Sequence, residues 1–314
     1  LFKYTKKFDG FTPTSQTLEV TGKEKRELAR QVPANVVELF ALAAKRIEAF
    51  HERQASGSWS YSEEDGVKLG QIVKPLRRVG VYCPGGLAFY PSSVLMSAIP
   101  AKVAGVPEVV LVTPAKQGRI DPMIVAAARI SGVDRIFRIG GAQAIAALAY
   151  GTETVPRVDK IVGPGNVYVA VAKKMVFGQV GIDMIAGPSE ICIIADNSAD
   201  PSMIAADLLS QAEHDELASS LLITTSRELA EKADAEVERQ LANLARKKIA
   251  RKAIDRFGAI VLVKTLQEAA DVSNSIAPEH LELAVEKPFD LLALIKNAGA
   301  IFLGHFTPES VGDY

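Results

Sequence analysis

Gln211 and His214 stand three positions apart in a stretch of helical periodicity, Pro201 to Glu216, so their side chains leave one face. A glutamine carbonyl and an imidazole on one face can share a cation. Zinc takes both donor types, although glutamine is an uncommon ligand and a solvated helix terminus is the competing reading. Glu279 and His280 adjoin in Pro278-Glu279-His280-Leu281-Glu282, where a loop meets a strand. Both groups titrate near enough to neutrality for modest environmental shifts to make them an acid–base pair. Neighbours on an extended chain point opposite ways, so the two would serve different proton transfers unless a kink turns one of them. A plain surface loop is the alternative there. Asp313 sits in a Gly-Asp turn that by itself is only a turn, and His51 and His305 lack partners at ligand spacing and read as structural. Cys83 and Cys192 read as small core residues, neither of them a nucleophile.

A second kind of chemistry is written in the glycines. Tyr82-Cys83-Pro84-Gly85-Gly86, Gly140-Gly141-Ala142-Gln143, Gly163-Pro164-Gly165-Asn166 and Gly187-Pro188-Ser189 all fall at turns between apolar runs. Glycine lets backbone approach a phosphate closely, and a helix start exposes unpaired N–H groups to it. Asn166 is placed to cap the helix that follows it. No G-x-G-x-x-G occurs, so the standard dinucleotide fingerprint is missing. Any α/β chain needs small residues at such turns, but their clustering in one block supports a ligand crevice.

These residues need elements to hold them. Leu28, Val32, Val36, Leu39, Phe40, Ala43 and Ile47 recur at helical spacing through Lys25 to Ser56, with Pro33 between two helices; Trp59 to Lys74 reads as a hairpin or arm. From Leu76 the pattern alternates. Strands are expected at 78–83, 108–113, 135–139, 160–162, 190–195, 219–224, 259–263, 281–285 and 300–303. Helices are expected at 93–104, 122–131, 142–149, 167–177, 201–216, 227–251 and 266–275. Strands separated by helices imply βαβ units and parallel sheets. The fold class is therefore α/β, with two Rossmann-like parallel-sheet domains and a helical N-terminal segment. Residues 79–189 form the turn-rich domain, and 1–78 with 190–314 the domain that carries the polar chemistry.

Composition narrows the class further. The chain has 314 residues, 48% hydrophobic and 6% aromatic, with a formal net charge of −1. That charge offers no field for nucleic acid or an anionic membrane. Arg246-Lys247-Lys248 with Arg251-Lys252 is a local basic cluster that reads as a solvated helix face. No apolar run reaches membrane-spanning length, and two widely spaced cysteines suit a reducing, cytoplasmic compartment. The chain opens at Leu1 inside a helical pattern, so its natural start is expected to lie upstream.

Taken together, the turn blocks, Ala186-Gly187-Pro188-Ser189-Glu190, Gln211-Ala212-Glu213-His214-Asp215, Ala277 to Glu282, Thr307 to Tyr314 and Phe8-Asp9-Gly10 resemble the signature blocks of the histidinol dehydrogenase family, in its order. The resemblance implies oxidation of L-histidinol through histidinal to L-histidine with two NAD⁺, in the final steps of histidine biosynthesis. By the same resemblance Gln211, His214 and Asp313 are zinc ligands, one ion per subunit. Glu279 and His280 are the acid–base residues, and Tyr82, Gln143 and Asn166 contact NAD. Ser189, Gln211, His214, His280 and Asp313 meet the substrate. Family members continue past Tyr314 with a tail that gives a further histidine ligand and a substrate-contacting glutamate to the neighbouring subunit of a homodimer, so this chain is expected to lack that tail. Three rivals remain: a dehydrogenase of the same fold acting on another polyol or amino alcohol, a zinc hydrolase, and a non-catalytic assembly fragment.

Overall fold

The computed structural model describes residues 1–85, 90–185 and 187–313. Gly86, Ala186, Tyr314 and the side chain of Asp313, all named above, lie outside the described residues. The chain divides into two compact units, Leu1–Ala186 and Gly187–Tyr314.

The first unit begins with α1 (Phe2–Asp9), α2 (Gly22–Ala29) and α3 (Ala34–Glu52), then an antiparallel arm of β1 (Trp59–Ser62) and β2 (Lys68–Gln71). The α/β part follows: β3 (Arg78–Tyr82), α4 (Pro91–Val103), β4 (Glu108–Thr113), α5 (Pro122–Ile130), β5 (Arg135–Arg138), α6 (Gly141–Tyr150), β6 (Lys160–Val162), α7 (Val167–Val176) and β7 (Gly181–Ile182). The strands pair in the order β5-β4-β3-β6-β7, all parallel. Helices cover both faces of such a sheet, so its strands are apolar throughout: β4 reads Glu-Val-Val-Leu-Val-Thr and only its first residue is not buried. Helices α2 and α3 pack on α4 and α5.

The second unit holds β8 (Glu190–Ala195), α8 (Pro201–Ala212), β9 (Ser219–Thr224), α9 (Arg227–Leu241), α10 (Lys247–Phe257), β10 (Gly258–Leu262), α11 (Leu266–Ile276), β11 (His280–Ala284), α12 (Pro288–Leu292) and β12 (Ala300–Leu303). Its parallel order is β10-β9-β8-β11-β12. Helix starts follow local chemistry. Asp200 and Asp121 cap helices that carry proline at their first position, Ser226 and Thr265 cap two more, and Thr21 with Glu24 forms a reciprocal capping box.

Two expectations change. The helix expected over 227–251 is two helices, because Leu229, Ala233, Val237 and Leu241 bury one stripe while Ala250 and Ala253 bury another, and the chain turns between them. The helix expected to reach Glu216 ends at Ala212, so His214 follows in a turn whose N–H donates to the Gln211 carbonyl at 3.1 Å. The basic cluster is a solvated face: Arg251 pairs with Glu238, and Lys252 with Glu216 at 2.7 Å.

Candidate active site

In the second unit the candidate residues gather at the amino edge of the sheet. β8 and β11 lie side by side with His280 opposite Ile191, which brings Ser189 and Glu190 next to Glu279 and His280. The Glu190 N–H donates to Glu279 Oε2 at 3.3 Å. Helix α8 runs back between β8 and β9, so its last turn delivers Gln211 to the same edge. The Gln211 side chain is 1% exposed, and its Oε1 lies 3.1 Å from His280 Nδ1 although 69 positions separate the two residues. His214 stands just beyond, in solvent. A helix C-terminus carries unpaired carbonyls and a partial negative charge, an environment that suits a cation beside Gln211 and His214.

Three acids that the sequence reading passed over complete the cluster. Glu309, in the turn Glu309–Asp313 after β12, places Oε2 3.0 Å from His280 Nδ1 and accepts the Ser210 hydroxyl on Oε1 at 2.8 Å. Burial raises its carboxyl pKa, but the hydrogen bonds of His280 and Ser210 and the nearby imidazoles of His280 and His214 outweigh that and hold it low. The Glu309 N–H donates to Glu282 Oε1 at 2.8 Å. Glu282, 3% exposed, is pushed up to about 9 by burial and by the charge of Asp207, its hydrogen-bonded partner on α8. Two carboxyls so close in a dry place keep one proton between them. The legible signal was Glu282 itself, an acid inside the apolar run Leu281 to Val285. Glu309 gave none, since an acid in a polar stretch looks like surface, and Asp207 gave none, since a single acid on a helix with one apolar face reads as part of its solvent face.

In the first unit the glycine turns meet at the carboxyl edge of the sheet. The Tyr82 hydroxyl, at the end of β3, accepts the Gly141 N–H at 3.1 Å and is buried, which raises its pKa. Gln143 lies half-buried in the first turn of α6. Asn166 caps α7, accepting from Tyr168 and Val169 N–H at 3.1 and 3.2 Å. Gly163 is locked: its N–H donates to Asp183 Oδ2 at 2.8 Å, its carbonyl accepts Lys173 Nζ at 3.1 Å, and Lys173 pairs with Asp183. Beside this edge opens a cleft of about 840 Å³, whose walls include Asp9, Glu24, Gly85, Pro114, Lys116 and Arg138. Asp9 Oδ2 is buried there without a hydrogen-bond partner among the described residues, and burial raises its pKa.

A sequence profile of the histidinol dehydrogenase family matches residues 1–314. The chain belongs to the histidinol dehydrogenase family. It is 60% identical to histidinol dehydrogenase of Syntrophotalea carbinolica over 100% of this chain and 73% of that one. Histidinol dehydrogenase of Aquifex aeolicus is 55% identical over 100% of this chain and 72% of its own. The crystal structure of histidinol dehydrogenase from Elizabethkingia anophelis superposes with a TM-score of 0.95 at 40% identity, covering 100% of this chain and 72% of that one. Membership makes the chain an oxidoreductase and agrees with the α/β class of two parallel sheets. No described helix is long and apolar enough to cross a membrane.

Within this histidinol dehydrogenase fold, the donors that a zinc could use are an amide oxygen on Gln211 and an imidazole on His214, both of a kind that zinc accepts. Among the described residues no group of three His, Cys, Asp or Glu stands at metal-binding geometry. Gln211 and His214 are donors of a kind zinc accepts, carried at and just beyond the end of one helix. Neither cysteine competes for a chemical role: burial pushes both the Cys83 and Cys192 thiols up to about 12.

Proposed function

We propose that the chain oxidises L-histidinol to L-histidine through histidinal, consuming two NAD⁺, with one zinc ion per subunit. The observation that carries this reading is the convergence of His280, Glu279 and Gln211 at one sheet edge of a chain matched along its whole length by the family profile. Gln211 and His214 would hold the zinc, with Asp313 as a third ligand. The bound ion would orient the amino group and imidazole of histidinol, both good zinc donors.

His280 takes the alcohol proton as the carbinol hydride leaves for the nicotinamide ring, giving histidinal, NADH and a proton. Glu279, whose exposed carboxylate takes the Glu190 N–H as its partner among the described contacts, would accept a proton from a water that adds to the aldehyde. The hydrate carries two hydroxyls on one carbon. His280, its first proton released to solvent, again takes a hydroxyl proton while the second hydride departs, and the carboxylic acid so formed loses its remaining proton to water to leave the carboxylate. This route needs no thiolate, in keeping with the buried thiols. Ser189, Gln211, His214, His280 and Asp313 are the proposed substrate contacts, and Tyr82, Gln143 and Asn166 the proposed NAD contacts.

In the proposed division of labour 79–189 serves the cofactor and 190–314 the chemistry. Residues 1–78, which the sequence grouped with the latter, pack their helices α2 and α3 on the former. The family resemblance adds a homodimer in the cytoplasm, with a tail from each subunit completing its neighbour's site. The test is NADH formation with L-histidinol before and after chelation. Two NADH per histidinol, lost with chelator and restored by zinc, is the expected result. Turnover of another alcohol with none of histidinol would move the chain to a sister activity.

A further inference from the structure

We propose that the β1–β2 arm of one chain lies on the outer face of α3 of a second copy, each copy giving its arm to the other. The contact is independent of the oxidation reading and of the tail exchange that the resemblance adds. Successive strand residues point to opposite sides, and the pairing of Trp59 with Gln71 and of Tyr61 with Leu69 sorts the arm into two faces. Ser60, Ser62, Lys68 and Gly70 make a polar face. Trp59, Tyr61 and Leu69 make an apolar one, with the Trp59 and Tyr61 rings stacked at 6.2 Å between centroids. Every residue of both strands is exposed, and β1 and β2 pack chiefly on each other. A lone two-stranded hairpin is at best marginally stable in water, and an antiparallel pair with one apolar face is built to cover that face.

Helix α3 carries the complementary surface. Its inner side packs on α4 and α5, while Leu39 and Leu42 stand exposed on its outer side. Arg46 and Arg53, at heptad spacing from Leu39, continue that row and are exposed. The tip of the arm is Glu63-Glu64-Asp65, also exposed, so charge as well as apolar surface is matched between arm and helix. Within one chain both surfaces stay open to solvent. Exchange between two copies uses each of them twice, as a two-fold contact requires. Leu39, Leu42, Trp59, Tyr61, Val67 and Leu69 are 43–61% exposed. They offer roughly 600 Å² per copy, so two copies reach the roughly 1,200 Å² at which stable interfaces begin, before any polar contact is counted.

Trp59 is the one tryptophan of the sequence, so its fluorescence reports the contact directly. The full chain should sediment as a dimer at micromolar concentration, and its tryptophan emission should move to longer wavelength as dilution separates the copies. Two double variants test the two surfaces: Tyr61→Ser with Leu69→Ser on the arm, and Leu39→Glu with Leu42→Glu on the helix. Each should raise the dimer Kd on the order of 100-fold or more. Circular dichroism should be unchanged, because the replaced side chains are exposed. A mixed pair keeps one intact arm-on-helix contact of the two, so an equimolar mixture of the variants should dimerise at a concentration where neither does alone. A monomeric wild type, a dimer that either variant leaves intact, or a mixture that stays monomeric would each overturn the proposal.

Discussion

His280 has the position a proton acceptor requires, at the first residue of a parallel strand, half-buried and backed by oxygens. Its replacement by asparagine keeps the size and removes the base. His280→Asn should therefore lower NADH formation by about 100-fold or more, while NAD affinity measured by calorimetry stays near the wild-type value. Near-wild-type turnover in that variant refutes the assignment. Gln211 makes a different demand, since its amide is 1% exposed and serves both His280 and the proposed ion. Gln211→Ala should lower zinc per subunit measured by metal analysis, and unchanged stoichiometry removes Gln211 from the ligand set. The residue types of this pair were legible in the sequence. Their meeting was not, because 69 positions separate them and only the sheet order puts β8 beside β11.

At the scale of elements, the parallel strands were readable to within a residue or so because β-branched runs bounded by glycine, proline or aspartate leave few alternatives. Gly181–Ile182 was not, being two residues long, and the break after Leu241 was not, because apolar spacing stays helical across it. The β6–α7 turn shows why its letters are what they are. Gly163 has φ +109°, and a Cβ there would sit 2.2 Å from the Tyr82 carbonyl oxygen, so alanine is both strained and obstructed. Gly178 has φ +96° with nothing within 4 Å of its missing Cβ, so alanine there meets strain alone. Gly163→Ala should destabilise by more than the roughly 1–3 kcal/mol typical of backbone strain, and by more than Gly178→Ala, in urea titration. It should also weaken NAD binding, since Lys173 and Asp183 hold that turn in register with the Asn166 cap. Equal losses in the two variants would show that the approach of β3 to the turn does not matter.

For the molecule as a whole, the acid cluster under the proposed active site should set the alkaline limit of stability. Asp207 is raised to about 6 and Glu282 to about 9, in each case first by burial, and the Glu309 carboxylate adds to both by repulsion. Asp200 and His305 line the same small cavity as this pair. Both acids bind their protons more tightly in the folded chain than in the unfolded one. Their contribution is thus complete below the ordinary carboxylate range and is lost as pH rises toward about 9, the value for Glu282. Glu309 is held low instead, so its own titration falls in the acid range and leaves this window alone. Glu282→Gln keeps the shape and cannot ionise. Its thermal midpoint should fall less than that of the wild type between pH 6 and pH 9, with a gain at pH 9 of roughly 2–4 °C for each kcal/mol recovered. If both proteins lose stability in parallel across that range, the shared proton is elsewhere and the cluster is held by charge pairing with the imidazoles instead.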